Sequence, residues 1–215
     1  MNIFFIADVI GLSAFAVSGF LVGVRARLDL LGVIIAAFLT GVGGGIARDA
    51  IVNTTPFAFR ENYPLIVIIV SLVLALLFRL HRRGDVDRHA LLIVADSIGL
   101  IAFSITGALV AIEHQLNFFG IISLAFLTAV GGGIIRDVMI NEVPFILKTD
   151  FYGSVALLIG IAFYWLDRTE LLSDLAIFVV AAVGLSLRLF AYFTGWKLPT
   201  FDTSPTSPKD GGTHE

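Results

Sequence analysis

Two segments of this sequence place an adjacent arginine and aspartate inside otherwise apolar surroundings. In each segment, three consecutive glycines precede the charged pair. The residues are Gly43, Gly44, Gly45, Arg48 and Asp49 in the first segment, and Gly131, Gly132, Gly133, Arg136 and Asp137 in the second. Ionisable side chains inside apolar spans are rare and usually mark an ion or solute pathway, or a fixed partner. We therefore take these ten residues as candidate pathway residues.

The two segments belong to an internal duplication. Residues 8–60 return at a constant offset of 88 without a gap, and LTGVGGGIARDAIVNTTPF matches LTAVGGGIIRDVMINEVPF. Roughly half of the aligned positions are identical, which is typical of an internal repeat. The offset also relates Asp8 to Asp96, and both aspartates lie in apolar stretches.

Composition places the chain in a membrane, because 58% of the 215 residues are hydrophobic, 14% are charged and the mean hydropathy is +0.97. A membrane-spanning helix needs about 20 mostly apolar residues. On that scale the sequence predicts an all-α membrane protein with seven transmembrane helices. The predicted spans are 3–24, 31–52, 63–80, 91–112, 118–140, 151–167 and 171–193.

The predicted domain organisation is a seven-helix membrane domain over residues 1–197. Repeat one covers 3–80, repeat two covers 91–168, and the seventh helix, 171–193, has no counterpart. The tail at 198–215 is rich in Pro, Ser, Thr, Gly and charge, which predicts disorder because it has little apolar surface to bury.

The basic residues predict the orientation, since Lys and Arg in short loops accumulate on the cytoplasmic side. The strongest basic loop, RLHRRGDVDRH, lies between spans three and four. We expect the N-terminus outside and the C-terminus in the cytoplasm. Because each repeat holds three helices, the second repeat enters the membrane from the opposite side. The fold class predicted is therefore a 3+3 inverted repeat plus one additional helix, as in many secondary transporters.

The triple glycines predict breaks in spans two and five. A glycine in a helix interior costs about 1 kcal/mol relative to alanine, so three together favour bending or unwinding. Freed carbonyls could then face a cation inside the bundle. The alternative interpretation is close helix packing, which small residues permit between membrane helices.

Each buried charge needs a partner. Adjacent helical residues point about 100° apart, so we expect neither Arg-Asp pair to close on itself. Asp8 is the expected partner of Arg48, and Asp96 that of Arg136, which predicts two polar clusters, one near each mouth. The alternative is that the arginines extend to the headgroups. Hydroxyls such as Ser18 are expected mainly to pack.

Catalysis finds little support, because the sequence shows no nucleophile-base pair and no metal-ligand cluster. We expect no enzyme activity, no cofactor and no metal site. The motifs GGGIARD and GGGIIRD, in helices two and five of a duplicated seven-span chain, resemble the prokaryotic branch of the trimeric intracellular cation (TRIC) channel family. The resemblance covers nearly everything before the tail, and the same repeated domain has also been labelled a glycine transporter.

The resemblance implies a homotrimer in a prokaryotic cell membrane, with potassium or sodium as the permeating ion. It also implies a pore in each subunit, lined by glycine-kinked helices two and five, with no nucleic-acid partner. Animal members carry a Lys-Glu-Val motif for phosphoinositides where this chain has IARDAIV, so lipid regulation is not carried over.

Two functional classes remain open on the sequence. A channel would use Asp8, Asp49, Asp96 and Asp137 to set a negative potential, with the arginines positioning those carboxylates. A carrier of glycine or another small amino acid would use the two halves as rocking elements. A structural scaffold would leave the duplicated Arg-Asp pairs without a reason.

Overall fold

The computed structural model describes residues 3–148 and 151–196, so the predicted disordered tail lies outside the described residues. Within them the chain forms α-helices joined by short loops. The helices are α1 (Ile3–Arg25), α2 (Leu30–Ile51), α3 (Phe57–Arg60), α4 (Tyr63–Leu77), α5 (Asp85–Glu113), α6 (Phe118–Met139), α7 (Phe145–Lys148), α8 (Tyr152–Arg168) and α9 (Asp174–Thr194).

Hydropathy predicts most helix ends to within three residues, but α5 begins six residues before the predicted position 91. Its first turn follows Gly84 and contains Asp85 and Asp87, whose carboxylates interact favourably with the positive end of the helix dipole. This polar start extends beyond the apolar stretch, so hydropathy alone missed it.

The four-residue helices α3 and α7 were not predicted. They begin after Pro56 and Pro144, the prolines that follow α2 and α6. Asn53 and Asn141 reverse the chain before them with a φ of 58°, a left-handed conformation that asparagine tolerates well. The two connections thus share one geometry, as the sequence repeat suggests.

Five helices are long and apolar enough to cross a membrane: α1, α2, α5, α6 and α9, with mean hydropathies between 2.0 and 2.2. The apolar helix α4 is shorter, at 15 residues. The outer faces of several helices expose Leu, Ile, Val and Phe, as a lipid-facing surface does. The chain is an all-helical membrane protein.

The core is built by α1, α2, α5 and α6, with α4 and α8 against its sides and α9 at the edge, on α5 and α8. Contacts recur reciprocally at the repeat offset. Gly11 faces the ring of Phe103, and Gly99 faces the ring of Phe15. These two phenylalanines, themselves 88 residues apart, pack edge to face with ring centroids 5.2 Å apart. Each repeat therefore meets the other through equivalent residues.

The expected helix breaks are wrong. Both α2 and α6 remain helical through their triple glycines, Gly43–Gly45 and Gly131–Gly133, so the backbone carbonyls there stay within the helix. Helix propensity is a weak tendency that tertiary contacts override. The contacts that do so are those between α2 and α6.

Candidate functional site

The glycines bring α2 and α6 into backbone contact. Gly44 lies against the backbone carbonyl of Thr128, and Gly132 lies against that of Thr40. A methyl group on Gly43 would lie 3.2 Å from the Cα of Gly132. The alternative interpretation, close packing between helices, is the geometry that the structure has. We call this contact the glycine crossing.

Threonine hydroxyls beside the crossing are turned back on their own helices. Thr40 donates to the carbonyl of Ala36 at 2.5 Å, and Thr128 donates to that of Leu124 at 2.6 Å. These bonds satisfy the hydroxyl protons inside a dry interface. The crossing therefore presents little polar surface, and the charged groups lie to either side of it.

The first charged group is the Asp8 cluster, formed by Asp8, Arg48, Asp49 and Tyr63. Asp8 Oδ1 lies 3.8 Å from Arg48 Nη1, and the Tyr63 hydroxyl donates to Asp8 Oδ2 at 2.8 Å. Both charged side chains of this ion pair are buried. The prediction that Asp8 partners Arg48 is confirmed. Asp8 Oδ1 and Arg48 Nη1 have no hydrogen-bond partner within the described part of the chain, so they attract each other as charges at 3.8 Å without a direct hydrogen bond.

Asp49 joins this cluster to the loop beyond α2. Its Oδ1 accepts from Arg48 Nε at 2.7 Å, and its Oδ2 accepts from the backbone N–H of Phe57 at 2.7 Å. The expectation that adjacent Arg and Asp do not close on each other is therefore wrong. The Cβ atoms of adjacent helical residues point about 100° apart, but the arginine side chain is long enough to fold back. Its Nε can therefore donate to the neighbouring aspartate. The guanidinium also lies 5.3 Å from the centroid of the Phe57 ring.

The second charged group is the Asp96 cluster, formed by Asp96, Arg136, Asp137 and Ser18. Arg136 Nη1 lies 3.5 Å from Asp96 Oδ1, which confirms the second predicted pair. Ser18 connects the two, since it donates to Asp96 Oδ1 at 3.0 Å and accepts from Arg136 Nη1 at 2.9 Å. The Ser18 hydroxyl, which was expected mainly to pack, thus completes the Asp96 cluster of the second repeat.

Asp137 repeats the role of Asp49. Its Oδ1 accepts from Arg136 Nε at 2.8 Å, and its Oδ2 accepts from the backbone N–H of Phe145 at 2.7 Å. One donor is a charged guanidinium and the other a backbone N–H, so each oxygen of this buried carboxylate has a hydrogen-bond donor. In both repeats this carboxylate therefore fixes the arginine and the start of the following short helix at once.

Helix α1 contributes to both clusters, through Asp8 and Ser18. These residues are ten positions apart, which corresponds to about 15 Å along the axis at 1.5 Å per residue. The two clusters are therefore distinct sites at different depths, with the glycine crossing on the neighbouring helices. Among the described residues, Arg48 is paired with Asp8 and Asp49, and Arg136 with Asp96 and Asp137.

A cavity of about 180 Å³ opens onto the Asp96 cluster. The side chains of Asp96, Arg136 and Asp137 line its inner part. Arg25 and Glu142 line it as well, and these two partly exposed residues form a salt bridge at 3.0 Å. This bridge joins the end of α1 to the loop after α6, so it lies where the cavity reaches the surface.

The sequence analysis missed three residues of these clusters. Tyr63 and Tyr152 stand at the starts of α4 and α8, and Tyr152 interacts electrostatically with Asp96 and Arg136. Arg188 on α9 is fully buried, with its guanidinium 5.0 Å from the centroid of the Tyr152 ring. A lone arginine inside an apolar span was the available signal for Arg188. The tyrosines gave none, because aromatic residues at span ends are common anchors.

Over residues 3–148 and 151–196 no group of three or more His, Cys, Asp or Glu side chains is arranged to hold a metal ion. The carboxylates described above are instead paired with arginines. Both clusters offer buried, fixed charge of both signs, and the Asp96 cluster lies beside a cavity of about 180 Å³.

Comparison with known proteins identifies the family. A protein-family model described as "Glycine transporter" matches residues 5–79 and 93–168, which is most of the chain and both repeats. The chain belongs to the glycine transporter family. A family relative, the UPF0126 membrane protein of Deinococcus radiodurans, is 40% identical over 161 residues, which cover 74% of each chain.

Solved structures connect this glycine transporter family member to TRIC channels. A structure solved to explain conductance through TRIC cation channels is 33% identical, with a TM-score of 0.81, and the match covers 95% of this chain and 100% of that one. The TRIC trimeric intracellular cation channel orthologue from Rhodobacter sphaeroides is 31% identical, with a TM-score of 0.83, over 91% of this chain and 100% of the other. The predicted resemblance to prokaryotic TRIC channels is confirmed.

Proposed function

We propose that this protein is a monovalent cation channel, permeable to potassium or sodium, with one pathway in each subunit of a homotrimer. The likeness to TRIC cation channels, above 30% identity over nearly the whole chain, supports the channel class. The observation that carries the proposal is the presence of two buried carboxylate clusters at different depths along α1. Buried carboxylates favour cations in a pathway of low dielectric constant.

The proposed architecture has seven spans, α1, α2, α4, α5, α6, α8 and α9, with the first three and the next three as an inverted repeat. The reciprocal contacts support it, since Gly44 meets Thr128 while Gly132 meets Thr40. A two-fold relation between the halves produces this pattern, because each contact between the repeats then occurs a second time with the repeats exchanged. The basic loop at 79–83 supports a cytoplasmic position for the α4–α5 connection, with the N-terminus outside and the C-terminus in the cytoplasm of a prokaryotic cell.

The proposed pathway runs from the Asp8 cluster, past the glycine crossing, to the Asp96 cluster and its cavity. Arg48 and Arg136 hold the carboxylates in place and limit their negative potential. The Asp8 carboxylate, whose Oδ1 is ion-paired with Arg48 at 3.8 Å without a hydrogen bond, is the proposed first contact for a cation at one end. At the other end, the cavity beside Asp96 admits water.

The glycine crossing is the proposed constriction. Its backbones touch, and the nearby threonine hydroxyls are bonded to their own helices, so this arrangement offers an ion no ligands in place of its water shell. Conduction then requires α2 and α6 to separate. Glycine favours such a movement, because the contact at Gly44 and Gly132 is made with backbone carbonyls rather than with interlocked side chains.

The alternative function is a secondary transporter of glycine or another small amino acid. The family description favours it, and so does the 180 Å³ cavity, where Arg136 could face a carboxylate and Asp96 or Asp137 an amine. A carrier would move its two repeats as alternating elements around that site.

Planar-bilayer recording of the purified protein distinguishes these functions. Under a potassium gradient a channel gives unitary currents that reverse near the potassium potential and that ignore added glycine. Saturable glycine uptake into liposomes, with no unitary current in bilayers, would instead establish the carrier. The double variant D8N/D96N, which keeps both side-chain shapes, is the control for leak, and its potassium current is expected to fall at least several-fold.

A further inference from the structure

Another cavity, of about 590 Å³, lies where α1 ends and α5 begins. Four of the side chains that line it are arginines or a histidine: Arg25, Arg27, Arg88 and His89. One lining side chain, Asp85, is acidic. We call this space the basic cavity. Ligand sites in proteins usually have volumes of about 300–1,000 Å³, so the basic cavity is large enough for a lipid headgroup.

The basic cavity keeps a positive charge after its ion pairs are counted. The three arginines and one aspartate that line it give a formal charge of +2 with the histidine neutral, and Glu142, which pairs with Arg25, lowers the sum to +1. Arg88 pairs with Asp85, whose side chain is 93% exposed. Arg27 forms no ion pair with any described residue. The remaining charges of segments 25–29 and 79–89 are those of Arg79, Arg82, Arg83, Asp29 and Asp87.

The internal duplication shows that these arginines are not required by the local fold. At the offset of 88, Arg25 and Arg27 correspond to Glu113 and Gln115. Arg27 and Gln115 have the same backbone conformation, with φ of 56° and 54°. The turn that ends α5 is therefore formed with a carboxylate and an amide where the turn that ends α1 has two arginines. The positive charge belongs to one end of the bundle only.

The basic cavity also has an apolar wall, formed by Leu21, Val24 and Leu92. Arg25 is the last residue of α1, a helix long and apolar enough to cross a membrane. The basic cavity therefore lies where α1 leaves the apolar layer, which is the level of the lipid headgroups. A soluble phosphate would contact the arginines alone, whereas a lipid would also cover the apolar wall. Basic pockets between membrane helices hold anionic headgroups in this way.

We propose that the basic cavity binds the phosphate of an anionic membrane lipid, and that this phosphate competes with Glu142 for Arg25. Arginine suits the site because its fork of N–H donors matches phosphate oxygens. Arg25 lines both the basic cavity and the 180 Å³ cavity beside Asp96. Lipid binding therefore loosens the salt bridge at the mouth of the Asp96 cavity. The site lies beside the start of α2, at the opposite end of that helix from the IARDAIV segment.

Native mass spectrometry of the purified full-length protein tests the binding. The protein is titrated in detergent with phosphatidylglycerol, which is anionic, or with phosphatidylcholine, which has no net charge. We expect phosphatidylglycerol to bind more tightly. R27Q/R88Q should weaken its binding about tenfold or more, since one arginine near a membrane surface contributes about fivefold. Binding of phosphatidylcholine should not change. Equal binding of the two lipids to the wild-type protein overturns the proposal.

R82Q/R83Q is the matched control, because it removes two charges from the same end of the protein. Arg82 and Arg83 are exposed in the loop between α4 and α5 and do not line the basic cavity. An equal loss in both double variants would mean that the basic edge attracts anionic lipid without a site. R27Q alone, which copies Gln115 in the same backbone conformation, decides if R27Q/R88Q does not fold, with an expected loss of about fivefold.

Inorganic phosphate distinguishes a lipid site from a site for a soluble anion. Phosphate and chloride are added to the lipid-bound protein at equal ionic strength, so that both screen charge equally. We expect neither to release phosphatidylglycerol selectively, because the apolar wall holds only the lipid. Release by phosphate but not by chloride would assign the basic cavity to a soluble phosphate and overturn the lipid assignment.

Labelling of V22C tests the competition for Arg25. Val22 lines the cavity beside Asp96, and the chain has no other thiol. In nanodiscs, which expose both faces, phosphatidylglycerol should accelerate reaction with an anionic methanethiosulfonate reagent by up to about fivefold, the effect of losing one exposed salt bridge. An anionic reagent is depleted near anionic lipid, so surface attraction cannot produce this result. V22C/E142A should react equally fast in both lipids.

An unchanged rate for V22C in phosphatidylglycerol overturns the competition with Glu142, while the titration decides the lipid site. Acceleration that persists in V22C/R27Q/R88Q would place its cause outside the basic cavity. Neither measurement requires ion conduction. Failure of the proposed channel function would therefore leave both results standing, and their failure would leave the channel function untouched.

Discussion

Gly44 of α2 lies directly against the backbone carbonyl of Thr128 of α6, so no side chain separates the two helices there. The Cβ of an alanine at this position would overlap that carbonyl. We expect G44A to destabilise the folded protein by about 1–3 kcal/mol, as overpacked cores are destabilised. The loss of stability is measured by heating both proteins in detergent and monitoring the folded fraction by size-exclusion chromatography.

G133A is the control for that experiment. A methyl group on Gly133 would meet only Arg136 Nη2, at 3.7 Å, which is an ordinary contact. Replacement of a helical glycine by alanine at such a site should be neutral, or stabilising by up to about 1 kcal/mol. Equal losses of stability in the two variants would contradict the assignment of the crossing to backbone contact.

Ser18 should contribute more to stability than its counterpart in the second repeat. Its hydroxyl bonds to Asp96 and Arg136, whereas Thr106, 88 residues later, bonds only to the carbonyl of Phe103 at 3.3 Å. S18A leaves two buried charged groups each without one partner, which should cost about 1–3 kcal/mol. T106V keeps the side-chain shape and should cost less than about 1 kcal/mol. Urea or thermal unfolding of both variants gives the comparison, and a larger loss in T106V would refute it.

Asp137 should control the loop between α6 and α7. Its carboxylate binds the Arg136 guanidinium and the Phe145 amide together. D137A leaves Arg136 with less buried compensation, and removal of one partner from such a pair typically costs about 3–5 kcal/mol. Hydrogen exchange of the Phe145 amide should accelerate as the loop opens. In E142Q, which removes only a partly exposed salt bridge, stability should change by less than about 1 kcal/mol.

Water should reach the cavity beside Asp96 from the side that carries Arg25 and Glu142. The sequence contains no cysteine, so a single introduced cysteine reports access directly. V22C, whose side chain would line the cavity, should react with a charged methanethiosulfonate reagent, and E142A should increase its rate. V155C, which is fully buried on α8, is the unreactive control. Labelling of V155C at the rate of V22C would mean that the bundle opens as a whole.

The sequence predicts the helices well, because apolar length is the dominant constraint on a membrane span and is visible residue by residue. It predicts the partners of Arg48 and Arg136 as well, since few carboxylates lie at the right depth. The triple glycines show where local reasoning fails. Their low helix propensity predicted a break, but the backbone of α6 beside Gly43 and Gly44 stabilises the helical form, and a single helix cannot reveal its neighbour.

Arg188 shows the second kind of failure. It stands outside the duplication, so no repeated pattern draws attention to it, and its contact with the Tyr152 ring lies on another helix, α8. Ser18 was underestimated for the same reason. Only the packing of α1 against the second repeat shows that its hydroxyl completes a charged site.

Ser18 of the first repeat completes the Asp96 cluster, whose other residues belong to the second repeat. The second half of the sequence therefore does not contain the whole of that cluster. Separate fragments divided in the loop at 78–84 would each carry an arginine-aspartate pair, but the Asp96 site would form only after the fragments associate. Reassembly of such a split protein could therefore be followed by the recovery of that site. The counterpart of Ser18 in the second repeat is Thr106, whose hydroxyl bonds to its own helix, so the two repeats use the hydroxyl at this position for different purposes.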